Sequence, residues 1–226
     1  MQQFITSIQI ITMPAIIIPE DPELVMAYDR INQFYRNWAL PDARKYLYKF
    51  IKAAQADKAA RFGVPNFLYF REELEELINA ALCLHHAGAE HPAVVLDLQD
   101  EAPEITCYHQ YCNHRFQLKP WHYFPRFLNL KEYANPYKVF SRLASFGNEH
   151  AWKKILNDLF YYCFSPNSCS ELVNRPNILK LSTCLLKLLE ASHLVVVRGI
   201  NETGDRGQCL STNNPVQNNE PHHVRE

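Results

Sequence analysis

The chain reads as a mainly α-helical protein, a helical bundle of about six helices with minor β or extended structure in its middle (residues 93–108). Three observations carry that reading. Apolar residues recur at steps of three and four along much of the 226-residue chain, which gathers them on one face of a helix. Only six glycines occur, too few for the tight turns that a sandwich or barrel of short strands requires. Proline, glycine and Asx residues stand where helices begin and end.

The first helix follows the prolines at 19 and 22, with Leu24, Tyr28, Ile31, Tyr35 and Trp38 on one face. Pro41-Asp42 opens the second, whose buried stripe is Leu47, Phe50, Ile51 and Ala54, and Gly63 with Pro65 ends it. The two are expected to form an antiparallel pair. A third helix, about Asn66 to His86, buries Phe67, Phe70, Leu74, Leu77, Ile78 and Ala81, and Gly88 supplies the left-handed residue that follows many helices.

From Pro92 to about Asn129 the helical period is lost. Ala93–Gln99 and a stretch around Glu104–Tyr108 read as strands or extended segments, followed by irregular, aromatic chain. Helices resume at Asn135-Pro136, through Val139, Phe140 and Leu143 to Phe146, and then from about Glu149 to Phe164, with Trp152, Ile155, Leu156, Leu159, Phe160 and Cys163 inward. Ser168-Cys-Ser-Glu171 has the spacing of a capping box for a short helical turn. The last helix starts near Pro176 and carries Ile178, Leu181, Leu185, Leu188 and Ser192 along one stripe.

These elements group into one domain, residues 21–200, in which a unit of 21–92 and a unit of 130–200 are joined by 93–129. Residues 1–20 read as an extended N-terminal segment, of which 1–12 have the character of an upstream extension before Met13. Residues 201–226 hold no aromatic side chain and few bulky aliphatics; they cannot offset the entropy of ordering, so a disordered tail is expected.

Several function classes drop out. No two glycines frame a phosphate-cradling loop, and no metalloprotease, nucleophile-elbow or kinase motif occurs. The seven cysteines, at 83, 107, 112, 163, 169, 184 and 209, lack paired spacing and read as reduced thiols of a cytoplasmic protein. The apolar N-terminal stretch lacks a basic flank and is interrupted by Pro14, so neither a signal peptide nor a membrane span is predicted.

Net charge is −1, unevenly spread: +2 over residues 1–65, −8 over 66–106, +5 over 107–142 and zero beyond. The basic segment interleaves Arg115, Lys119, Arg126 and Lys131 with ten aromatic residues. Mutual neutralisation with the acidic third helix, the aromatics forming core, is the plainer reading. Basic and stacking groups together also suit single-stranded nucleic acid, which makes these four residues candidate nucleic-acid contacts in an alternative reading.

The densest constellation of ligand-type residues is Cys107, His109, Cys112 and His114, which zinc would accept. Its C-x-H-x₂-C-x-H spacing is not that of a finger, and on an extended strand the residues do not share a face. A small structural zinc site is therefore a further alternative, and no other cofactor is implied. Cys83 with His85 or His86, and Cys112 with His114, are sequence neighbours that seldom reach nucleophile–base geometry. Glu72, Glu73, Glu75 and Glu76 lack the companion histidines of a carboxylate metal site and read as a solvated helix face.

No spacing names a reaction, so the leading expectation is a non-enzymatic interaction or regulatory protein. It would bind a protein partner, or a second copy of itself, through the aromatic-basic segment. Trp121, Tyr123 and Phe124, with Arg126 at their rim, are the candidate contacts, because aromatic residues and arginine anchor interfaces.

Overall fold

The computed structural model describes residues 21–56, 58–60, 63–91, 94–96, 120–166 and 175–200. Helix α1 (Pro22–Asn37) starts on local chemistry. The Asp21 carboxylate accepts the Glu23 backbone N–H at 2.9 Å, and Pro22 stands in the first turn, where its missing N–H costs nothing. Two extended residues, Trp38 and Ala39, then re-aim the chain into α2 (Leu40–Ala54). Gly63, at φ 94°, takes the left-handed turn that precedes α3 (Val64–His86), and Gly88, at φ 61°, takes the one that follows it.

After a 3-10 turn at Pro120–Tyr123 come α4 (Leu130–Ala134), α5 (Tyr137–Phe146), α6 (Glu149–Phe164) and α7 (Arg175–Ile200). The five-residue α4 is absent from the sequence reading. It is held by a reciprocal capping box in which Asn129 Oδ1 accepts the Glu132 N–H at 3.0 Å and Glu132 Oε2 accepts the Asn129 N–H at 2.8 Å. Asn148 caps α6 by accepting the Ala151 N–H at 3.0 Å.

The expected antiparallel pairing of α1 with α2 does not occur. Helix α1 lies against α3 and α7, whereas α2 lies against α6 and α7. The rings of Trp38, Tyr46, Phe50, Phe67 and Phe70 form an aromatic cluster between α2 and α3, with neighbouring centroids 4.7–6.4 Å apart. The helices of the chain's two halves are interleaved rather than grouped by sequence, since α3 also packs on α5 and α6. One connected core runs from Ala27 to Val196.

Helix α7 passes through the middle. Leu185, Leu188, Leu189, Glu190, Ala191, Ser192 and Leu194 are fully buried, so this stretch is covered on every side. The sequence stripe Ile178–Leu181–Leu185–Leu188–Ser192 is thus only part of what α7 buries.

No strand occurs among the described residues. Val94 to Leu96, inside the segment expected to be extended, form a turn whose Leu96 N–H donates to the Ala134 carbonyl at 2.9 Å. The rest of the 93–108 segment, the predicted turn at 168–171, the N-terminal segment 1–20 and the tail 201–226 lie outside the described residues. Among the described residues no helix is long and apolar enough to cross a membrane.

Candidate functional site

The feature of the fold that is hardest to explain by packing alone is a pair of buried carboxylates holding one surface segment, residues 124–131, a loop that runs into the first turn of α4. Glu190 on α7 has no exposure. Its oxygens accept the backbone N–H groups of Arg126 (2.9 Å), Phe127 (2.7 Å) and Leu128 (3.2 Å), and they pair with the Arg44 guanidinium of α2. Arg44 completes the clamp by donating to the carbonyls of His122 and Phe124, each at 2.9 Å. A buried carboxylate persists only with such full satisfaction, because desolvating it unpaired is costly.

Glu132, 1% exposed, holds the other end of the loop. Beyond its capping role it pairs with Arg142 of α5 and Lys187 of α7, the latter at 2.7 Å. Burial pushes its carboxyl upward, but the Lys187 and Asn129 hydrogen bonds and the two cations outweigh that and hold it below the usual carboxylate range.

Tyr123 is stacked on the buried His193 ring at 6.0 Å, and Tyr35 meets that ring edge-on at 5.1 Å. The Tyr35 hydroxyl donates to the Leu189 carbonyl and lies 2.9 Å from Ser192 Oγ. Burial, reinforced by the nearby Arg44 charge, pushes the His193 imidazole down to about 3, so it stays neutral at ordinary pH.

What the clamps present to solvent is apolar and basic. Phe127 is 43% exposed and Leu130 is 62% exposed, and Arg126 and Lys131 beside them are exposed residues. Exposed large apolar side chains, Phe127 on hydrogen-bonded irregular chain and Leu130 at the start of α4, are what an interface anchor looks like.

The structure redistributes the residues singled out in the sequence. Tyr123 is buried, 1% exposed, and belongs to the core; its ring is committed to His193, so it is not a surface contact. Phe124 is half-buried, its ring 6.5 Å from that of Tyr133. The backbone of Trp121 belongs to the 3-10 turn, and its side chain lies outside the described set. Arg126 and Lys131 lie on the loop, while Arg115 and Lys119 fall outside the described residues, as do Cys107, His109, Cys112 and His114. Phe127 and Leu130 were missed, although a Phe and a Leu beside Arg126 and Lys131 are visible in the sequence.

Three of the four α3 glutamates have partners on the same or a neighbouring helix, and Glu72 is exposed. Glu75 pairs with Arg71 and with Lys153 of α6 (3.1 Å), Glu76 with Arg30 of α1 (3.4 Å), and Glu73 accepts from Asn37 at 3.1 Å. Among the described residues no group of three or more His, Cys, Asp or Glu side chains is placed to hold a metal ion. The Cys83 thiol is pushed up by burial and nearby acidic groups, and Cys184 is pushed up to about 11 by burial, both unfavourable for a thiolate nucleophile. A surface depression of about 440 Å³ is lined by Met26, Asp29, Arg30, Asn32, Gln33 and Arg36, which include no nucleophile.

No protein-family model matches the chain, and neither the curated proteins nor the solved structures contain a match to its sequence or fold.

Proposed function

We propose that this chain is a non-enzymatic interaction module that binds a protein partner through the loop 124–131. Phe127 and Leu130 act as apolar anchors, and Arg126 and Lys131 select an acidic rim on the partner. The observation that carries the reading is the immobilised loop: Glu190 holds three consecutive N–H groups beneath an exposed Phe127. A loop already fixed in one conformation loses little entropy on binding, which favours affinity. Depletion of acidic groups from the loop, with both cations at its edge, supplies the electrostatic selection.

The experiment is site-specific photocrosslinking in cells. A photoreactive phenylalanine analogue replaces Phe127, and the same analogue replaces Tyr161, which is 67% exposed on α6, as a control. An adduct of defined mass formed at 127 and absent at 161 supports the proposal, and an adduct at twice the chain mass identifies a second copy as the partner. Equal labelling at both positions, or none at either, overturns it.

A further inference from the structure

Helix α2 buries Leu40, Ala43, Leu47, Phe50, Ile51 and Ala54 against its neighbours, and its opposite face carries Lys45, Tyr48, Lys49 and Lys52. At 100° per residue these four fall within a stripe of about 100°, and Lys45 and Lys52 lie about 10 Å apart along the axis. All three lysines are exposed, and Tyr48, at 65%, is among the most exposed aromatic side chains described.

Two observations mark this stripe. Among the described residues none of its three lysines is ion-paired, whereas Arg30, Arg44, Arg71, Arg142, Lys153 and Lys187 each pair with a carboxylate. The only acidic residue of α2 is Asp42, in its first turn. The lysines are also interleaved with aromatic rings. Lys49 Nζ lies 5.3 Å from the Tyr46 ring centroid, and Lys52 Nζ lies 5.9 Å from that of Tyr48.

We infer that the outer face of α2 is a docking surface for single-stranded nucleic acid. Lys45, Lys49 and Lys52 contact consecutive phosphates, and a base stacks on Tyr48. Unpaired cations beside an exposed ring match that polymer, which offers a row of negative charges and unstacked π-faces together. A duplex presents phosphates with its bases already stacked and leaves Tyr48 unused; an acidic peptide presents charge without a stacking partner. This surface is distinct from the loop 124–131, so its failure leaves the partner-binding proposal standing, and the converse also holds.

The test is fluorescence anisotropy of a labelled 12-nucleotide oligouridylate with the full chain, from low to physiological salt. Wild type binds, and log K falls with log salt. The K45E/K49E/K52E variant abolishes binding, and each single Lys→Gln replacement lowers the magnitude of the salt slope by about 0.7. Y48A weakens binding roughly five- to hundredfold, and Y48F does not. Circular dichroism of each variant confirms that the fold is intact. Absence of binding at low salt overturns the inference, as does a triple variant that binds like wild type. Displacement of the oligonucleotide by oligoglutamate of equal charge, with no effect of Y48A, also overturns it and assigns the stripe to an acidic protein.

Discussion

Arg44 of α2 and Glu190 of α7 form an ion pair inside the core, and the same carboxylate takes three consecutive backbone N–H groups, those of Arg126, Phe127 and Leu128. One side chain thus ties two helices and a surface loop together, and the loop's conformation depends on a charge it does not itself carry.

Removing that charge strands its partners. Glu190→Ala leaves a largely buried guanidinium without its counter-charge and three backbone N–H groups without an acceptor, and the expected loss is about 3–5 kcal/mol. Glu190→Gln keeps one acceptor oxygen and costs less. Urea denaturation gives the loss, and amide exchange reports its place: the N–H groups of residues 126–128 exchange faster in both variants before the helices do.

His193 makes stability depend on pH. Its folded-state pKa of about 3 lies below the ordinary value of 6.5, because burial, and then the Arg44 charge, oppose protonation. The unfolded chain therefore binds this proton first as pH falls. The contribution is intact above pH 6.5 and is lost progressively down toward pH 3, at about 1.4 kcal/mol per pH unit. His193→Phe removes this component, so unfolding free energies of variant and wild type, measured at steps from pH 7 to pH 4.5, diverge in slope. Parallel slopes would show that His193 is not held neutral.

Gly147, between α5 and α6, has no room for a side chain. A Cβ built there would lie 2.7 Å from the Ala151 Cβ in the first turn of α6. Gly147→Ala must displace that turn, and a loss of about 1–3 kcal/mol is expected, read from the thermal midpoint. The double variant with Ala151→Gly opens the space and recovers part of the loss.

Phe127 is placed for contact rather than stability. Its N–H, not its ring, engages Glu190, so Phe127→Ser changes folding stability by less than about 0.5 kcal/mol while removing the exposed anchor. A larger loss, measured by urea denaturation, would return the ring to the core and withdraw it from the proposed interface.

Much of the local structure was legible. Pro22 stands in the first turn of α1, and of the six residues expected inward on α6, Trp152, Leu156, Leu159 and Cys163 are buried while Ile155 and Phe160 are half-buried. The spacing Asn129-Leu-Lys-Glu132 carried the signal of α4, but in a stretch without helical period it did not stand out. Which aromatic of the middle segment faces inward was not legible. Tyr123 is buried against His193, seventy residues away, and Phe127 is exposed while its N–H is held by Glu190, sixty-three residues away. The α2 stripe does not show in the net charge of residues 1–65, which is +2, because acidic residues mostly on other elements offset the lysines.

The amino-acid sequence by itself determined where the main helices run and which stripe most of them bury, because 3.6-residue periodicity and capping act within a few residues. Tertiary structure decided which helices are neighbours: α1 lies against α3 and α7 and α2 against α6 and α7, contacts between segments far apart in the chain that no local pattern encodes. It also decided which polar groups are buried. A carboxylate such as Glu190 is compatible with the core only where Arg44 and three N–H groups from distant segments converge on it, and that convergence is a property of the assembled fold.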